Sequence, residues 1–412
     1  MIFYSLATTL IGLDAKLIHI EVSASKGMPT ETLVGLADSA TKESKSRIKS
    51  AILQSGFHYP LLNYTINLAP AHLKKNGAIL DVAIALGLLA ATKQFSIPEN
   101  SIFLGELSLD GKLKGISSAL AIVSSLQTQH PNYTLYLPSE NKANLALLKQ
   151  EHIHYFDSLS DLVQKKPNIK PLEQAKTNAK KHPLAAYDFA DLYGLESIKH
   201  ALLIALLGKH NCLLVGPPGC GKSQLLKCIA SVLSPLAIED QINYLRILSL
   251  NAQESTHQTG FPAIRSPHHT ISYAGMFGGG RPIKAGEVSL AHLGVLILDE
   301  IAEFKRDILE GLRQPLEDKH IHISRVDQSL CLPANCQVLA SMNPCPCGFY
   351  GSLEELCSCS SLARTNYIKR LSGPLLDRFD MIIDVAKLNF KADIIEKKHN
   401  TLDSATFKHR LL

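Results

Sequence analysis

Residues Gly216–Ser223 read GPPGCGKS and match G-x-x-x-x-G-K-[ST] at every fixed position. Before them stands a short apolar run, Asn211–Val215 (NCLLV), and after them a helical pattern over Ser223–Leu233. Strand, glycine-rich turn and helix in that order constrain this stretch to an α/β unit. In such a unit Gly216, Pro217, Pro218, Gly219, Cys220 and Gly221 curl the backbone so that its N–H groups face phosphate oxygens. Lys222 is then placed to reach the β- and γ-phosphates of a nucleoside triphosphate, and the Ser223 hydroxyl to ligate magnesium.

A second buried run, Gly294–Leu298, ends in Asp299 and Glu300. A strand that delivers two carboxylates to its carboxyl end suits Asp299 as a magnesium ligand and Glu300 as the general base that polarises water. A third run, Gln337–Ser341, leads to Asn343, which is suited to orienting that water. Arg378, in GPLLDRFD, is open to two readings. It either pairs within the chain with Asp377 or Asp380, or reaches the nucleotide of a neighbouring subunit and stabilises transition-state charge. Strands alternating with helices predict a parallel sheet with helices on both faces and a ligand at the carboxyl ends of its strands.

Of nine cysteines, four fall in Cys345-Pro-Cys347 and Cys357-Ser-Cys359. Four thiolates on one short loop suit a tetrahedral zinc site, although C-x-C departs from the usual C-x₂-C; the alternative is four reduced thiols on an irregular loop. The other five are scattered. Arg265-Ser-Pro-His268-His269 lacks a third ligand and reads as structural or as a contact element rather than a metal site. Phe277–Glu287 (FGGGRPIKAGE) predicts a mobile basic loop carrying Arg281 and Lys284, and His320–Arg325 with Leu330–Leu332 predicts a hairpin carrying Arg325. These are ordinary surface loops, or basic elements that track a phosphate backbone without reading bases.

The rest of the chain bounds the classes available. Charged residues are 19% and apolar ones 46%, as in globular proteins, and the net charge of +5 permits a polyanionic partner without requiring one. The longest apolar runs, Val82–Ala91 and Ala201–Leu207, fall far short of the ~20 residues of a membrane span. The amino terminus has no basic region ahead of its apolar stretch, so a cytoplasmic protein with reduced thiols is expected. Before the linker, Leu17–Ser23, Tyr64–Leu68 and Thr134–Leu137 read as strands, and Asp38–Gln54 and Asp81–Thr92 as helices. Lys165–Lys181 holds six lysines and two prolines and reads as a tether; Glu196–Leu207 is the first helix beyond it.

With those residues in place the sequence resembles the magnesium-chelatase-type AAA+ ATPases, and most closely their ComM/YifB group of bacterial competence proteins. The likeness runs through EVSASKGMPTETLVGLAD (21–38), YTINLAPAHLKKNGAILDVAIALG (64–87), GELSLDGKLKG (105–115), HNCLLVGPPGCGKS (210–223), FPAIRSPHHTIS (261–272), GEVSLAHLGVLILDE (286–300), MNPCPCG (342–348) and LSGPLLDRFD (371–380).

The resemblance implies an N-terminal domain (1–164) with the fold of the Lon protease catalytic domain, the basic linker (165–185), an AAA+ core (186–390) and the start of a C-terminal helical lid (391–412). The turn that holds a nucleophilic serine in proteolytic relatives matches Lys75–Asp81, which has none, so proteolysis is not expected. The resemblance also implies a homo-hexameric ring that uses ATP and magnesium to migrate DNA branches during natural transformation and recombination. Lys222, Ser223, Asp299, Glu300, Asn343 and Arg378 then take the Walker, sensor and arginine-finger positions, while the loops of Arg281 and Arg325 face the pore. Cys220 stands where the family usually has Thr, and Tyr193–Glu196 replaces its Gly-Gln-Glu. The sequence stops where the lid, with its second sensor arginine, would begin, so nucleotide binding is expected to survive while hydrolysis and ring assembly stay open. Rival expectations are a motor that drives magnesium into a porphyrin, and a nucleotide-binding scaffold without turnover.

Overall fold

The computed structural model describes residues 2–25, 28, 30–35, 39–73, 75, 78–168, 182, 184–192, 194–251, 260–281, 283–325, 328–352, 355–386 and 403–404. These fall into two compact units, one up to residue 168 and one from residue 182. Most of the linker (165–185) and of the segment expected to begin the lid (391–412) lies outside the described residues, as does Tyr193.

The first unit is a mixed seven-stranded sheet. It begins with β1 (Ile2–Ile11) and β2 (Asp14–Ser25), followed by β3 (Glu31–Val34), β4 (Asn63–Ala69), β5 (Ser101–Phe103), β6 (Thr134–Pro138) and β7 (Ile153–Phe156). The order across the sheet is β3-β4-β2-β1-β5-β6-β7. β1 and β2 form a long antiparallel hairpin paired from Ile2↔Ser23 to Ile11↔Asp14. The expected alternation holds in β2, where Ala15, Ile18, Ile20 and Val22 are buried and Lys16 and His19 exposed.

The expected helices are α1 (Ser39–Gln54) and α2 (Asp81–Ala91). Every residue of α2 from Asp81 to Ala90 is buried. Gly87 permits this, because a Cβ there would lie 2.8 Å from Val22 Cγ2. Asp81, wholly buried at the head of α2, accepts from Arg47 Nε at 2.7 Å and from Leu107 N at 3.2 Å; burial pushes its carboxyl up while Arg47 opposes the shift. The Lys75 ammonium, also buried, donates to Pro70 O, and burial pushes its pKa down.

The second unit holds a parallel five-stranded sheet of β8 (Cys212–Val215), β9 (Ile264–Arg265), β10 (Val295–Leu298), β13 (Gln337–Met342) and β14 (Met381–Asp384), in the order β9-β10-β13-β8-β14. Between β10 and β13 the chain makes the expected hairpin, β11 (His320–Arg325) against β12 (Gln328–Pro333), paired from His320↔Pro333 to Arg325↔Gln328. β10 and β13 are buried along their whole length, as strands covered on both faces must be. Helix α3 (Glu196–Gly208) packs Leu202, Leu203 and Ala205 into the same core as Leu214, Leu225 and Ile297. The helix after the glycine turn, α4 (Lys222–Cys228), is shorter than the periodicity over 223–233 predicts; Ile229–Ser231 tightens into a 3₁₀ turn. No helix among the described residues is long and apolar enough to cross a membrane.

Candidate nucleotide site and cysteine cluster

Register gathers the site. Val215 pairs with Met342, and Leu298 with Ala340. The residues that follow, Gly216, Asn343 and Asp299, therefore leave the sheet at one edge, with the strand of Asn343 between the other two. Gly216 N donates to Met342 O at 3.2 Å, which ties the start of the turn to that middle strand. Gly219 and Gly221 have φ of +75° and +91°, a region costly for residues with a Cβ. A Cβ on Gly216 would lie 2.3 Å from Val385 O, so the turn also needs glycine there for close approach.

The Lys222 ammonium is buried in the loop it belongs to. It donates to Gly216 O at 2.7 Å, Pro217 O at 2.8 Å and Asn343 Oδ1 at 3.3 Å, with Cys220 Sγ at 3.7 Å. Pro218, Gly219 and Ser223 are exposed beside it. From the strand beside the acids, the Ser341 hydroxyl donates to Asp299 Oδ1 and accepts from Glu300 N at 3.2 Å. Glu300 itself takes left-handed backbone (φ 52°, ψ 49°), which turns the chain at the strand end and leaves its side chain exposed. The donor set fits a magnesium-bound triphosphate: an ammonium, an exposed hydroxyl at Ser223, and a carboxylate at Asp299 whose Oδ2 carries no hydrogen bond among the described residues.

Arg378 lies at the other edge. It precedes Met381, which pairs with Cys212, the first residue of β8, and its carbonyl accepts from Asn211 Nδ2 at 3.0 Å. β8 separates it from Lys222 by about 10 Å of strand alone. Neither Asp377 nor Asp380 holds its guanidinium. Glu317 accepts from Arg378 Nη2, and Asp380 instead accepts from Asn211 N at 2.7 Å, so the pairing expected from sequence neighbours gives way to a long-range one. Arg378 Nε is buried without a hydrogen bond.

The four sulfurs of Cys345, Cys347, Cys357 and Cys359 lie within 4.8 Å of one another, the one such cluster of His, Cys, Asp or Glu among the described residues. Cys345 to Cys347 is 3.3 Å, Cys345 to Cys357 3.7 Å and Cys347 to Cys357 3.6 Å. A tetrahedron with zinc–sulfur bonds of about 2.3 Å has edges of about 3.8 Å, so the donors fit zinc. A backbone N–H from Phe349 holds the Cys347 thiol down at about 6, which favours its thiolate, whereas burial pushes the Cys345 thiol up against the hydrogen bond that Tyr350 N donates to its Sγ at 3.3 Å. Arg364 stacks 4.5 Å over Tyr350 and braces the loop.

Other expectations fare unevenly. Arg265 makes a two-pronged ion pair with Glu287 at 2.6 and 2.7 Å, which gives it a structural role, and exposed His268 bonds Thr270. The segment of Arg281 and Lys284 is not the loose loop expected: Gly278–Gly279 pairs with Lys284–Ala285 as a two-stranded ribbon. Glycine makes that possible, since a Cβ at Gly278 (φ +99°) would sit 2.7 Å from Lys284 O. Arg281 and Lys284 are exposed on it. Arg325 ends β11, and its side chain lies outside the described residues. Sequence reasoning passed over Ser341, Glu317, Gly348 and Tyr367. Only Ser341, at the end of a buried strand between the named acids and Asn343, left a readable signal.

Comparison with known proteins agrees with this architecture. The family described as "Magnesium chelatase, subunit ChlI" matches residues 188–393, and that described as "Subunit ChlI of Mg-chelatase" matches residues 20–141. The chain is 38% identical to "Uncharacterized protein YifB" of Salmonella typhimurium, over 91% of this chain and 74% of that protein. It is 37% identical to "Competence protein ComM" of Haemophilus influenzae, over 94% of this chain and 76% of that one. A more distant match, 28% identical over 47% of this chain and 23% of the other, is "DNA replication licensing factor MCM3 homolog 1" of Zea mays. A mixed α/β chain with a phosphate-loop parallel sheet and these relatives belongs to the magnesium-chelatase-type family, as a ComM/YifB-like member.

Proposed function

We propose that this protein is an ATP-hydrolysing, ring-forming DNA motor that moves branched or single-stranded DNA in recombination and natural transformation. The observation that carries the reading is the convergence of Lys222, Asn343 and the Asp299–Ser341–Glu300 group at one sheet edge. Lys222 exchanges its loop carbonyls for β- and γ-phosphate oxygens, and Asn343, already bonded to that ammonium, stands beside the attacking water. Magnesium at Ser223 and Asp299 supplies charge neutralisation for the phosphates. Glu300, exposed at the strand end, takes the proton of the water. Arg378, at the opposite end of the strands from its own loop, serves the site of the adjacent subunit in a homo-hexamer.

The exposed Arg281 and Lys284, with Arg325, meet the DNA backbone. The names of the competence and replication-licensing relatives support DNA as partner. The unit up to residue 168 is read as a Lon-like domain without protease chemistry, since its Lys75 ammonium is engaged by Pro70 O and the matching stretch lacks serine. Zinc occupies the four thiolates, and the protein works in the cytoplasm.

A strand-displacement assay on three- and four-way junctions tests the reading. ATP-dependent strand separation that disappears in Glu300→Gln is the expected result, and hydrolysis indifferent to every DNA tested overturns it. The family descriptions favour one second reading, a motor for inserting magnesium into a porphyrin. Acceleration of hydrolysis by a porphyrin-binding partner rather than by branched DNA would support it. A form that binds ATP and releases no phosphate is a scaffold.

A further inference from the structure

The cysteine cluster does not stand apart from the phosphate loop. One stretch of chain, Met342–Gly348, meets that loop at three successive places: Met342 O accepts from Gly216 N, Asn343 Oδ1 accepts from Lys222 Nζ, and Gly348 packs on Pro218. The last contact leaves no room. Gly348 has φ +88°, and a Cβ there would lie 2.6 Å from Pro218 Cδ and 3.1 Å from its Cγ. Gly348 follows Cys347 directly, and its N–H donates to Cys345 O at 3.0 Å. Beyond Cys359 the chain enters the helix Ser361–Ile368, which brings Tyr367 back to bond the Asn343 backbone.

Residues 345–360 form neither helix nor strand where described, and Cys345 is wholly buried. Such a loop lacks the ladder hydrogen bonds that hold β8 and β13, so its shape depends on what joins its four sulfurs. We propose that a zinc ion on Cys345, Cys347, Cys357 and Cys359 sets the position of Pro218 and Asn343, and so makes nucleotide affinity depend on metal occupancy. The inference rests on reading Gly216–Ser223 as a nucleotide loop, and adds a metal-sensitive control on it. Four zinc–thiolate bonds fix Gly348 against Pro218; their loss frees both the loop and the asparagine that shares the Lys222 ammonium.

The test is equilibrium binding of a fluorescent ATP analogue to the full chain, with zinc counted by elemental analysis. As purified, one zinc per chain is expected. Stripping it with a chelator should weaken nucleotide binding at least tenfold, and zinc added back should restore it. Gly348→Ala, which forces a Cβ against Pro218, should keep zinc and stay folded at some cost in melting temperature, yet bind nucleotide several-fold more weakly. In Pro218→Ala, where the contact is cut from the other side, stripping should matter much less. Absence of zinc from the purified protein, or affinity within twofold after stripping, overturns the coupling. If the stripped chain unfolds, Gly348→Ala decides, and wild-type affinity in that variant overturns it. A zinc-loaded chain that ignores nucleotide altogether sinks the nucleotide reading and the coupling together, whereas one that binds equally with and without zinc sinks the coupling alone.

Discussion

Ser341 stands between Asp299 and Glu300, donating its hydroxyl to the carboxylate of the first and accepting the backbone N–H of the second at 3.2 Å. It is buried, and it lies on the strand next to the acids rather than on their own. One hydroxyl thus orients the proposed metal ligand and anchors the left-handed turn that presents the proposed base.

Ser341→Ala is expected to raise the magnesium concentration for half-maximal ATP turnover about tenfold, since a hydrogen bond to a charged group is worth about 1.5–3 kcal/mol. Ser341→Thr, which keeps the hydroxyl, should recover most of the loss. A lowered melting temperature with an unchanged magnesium requirement would mark the serine as packing only.

Glu300→Gln and Lys222→Ala should fail differently. Loss of the base is expected to cut turnover by about 10²–10⁴ while nucleotide still binds. Loss of the ammonium removes the donor that links Gly216, Pro217 and Asn343, so nucleotide binding itself should fall. Parallel titrations and steady-state rates on both variants separate the two roles.

Much of this candidate site was legible in the sequence, and the reason is local. Phosphate loops and acid-ended buried strands are contiguous in sequence, so Lys222, Asp299 and Glu300 announce themselves. Four cysteines on fifteen residues of chain do the same. The partners of Arg378 were not legible, because Glu317 lies 61 positions away and neighbouring Asp377 and Asp380 were the obvious candidates. Gly348 against Pro218 was hidden for the same reason. β1 was missed because its ten residues carry no turn signal until Gly12 and no alternation as clean as that of β2. The ribbon at Gly278–Ala285 was mistaken for loose chain because successive glycines signal freedom, while here they permit close contact.

The position of Arg378 predicts complementation between two inactive variants. Arg378→Ala and Glu300→Gln, each nearly without turnover alone, should regain part of it when mixed, because the second supplies an intact arginine to the intact base of the first. No recovery would return Arg378 to its own chain. Glu317→Gln, which releases the guanidinium, is expected to lower the protein concentration at which turnover is half-maximal.

Acid should loosen the second unit through His292. Burial, and secondarily His320, hold its pKa down at about 4 from an ordinary 6.5, and its Nδ1 accepts from Asn335 N at 3.1 Å, a bond that protonation there destroys. The folded chain therefore binds fewer protons than the unfolded one between those values. Stability is full above about pH 6.5 and falls toward pH 4, by on the order of 2 kcal/mol after allowance for partial exposure. Urea melts at pH 7.5 and 5 should differ less in His292→Gln than in the parent; an equal difference would absolve this residue.

Three adjacent parallel strands hold every group proposed to act on the nucleotide within one subunit. Sliding any of them by a single residue would swap its inward and outward faces and break a ladder buried on both sides. The catalytic edge is thus the stiff part of the molecule, a fulcrum rather than a lever. On the proposed reading, whatever swings as ATP is spent does so around it, in the ribbons and hairpins hung from the sheet and in the joints between copies of the proposed ring.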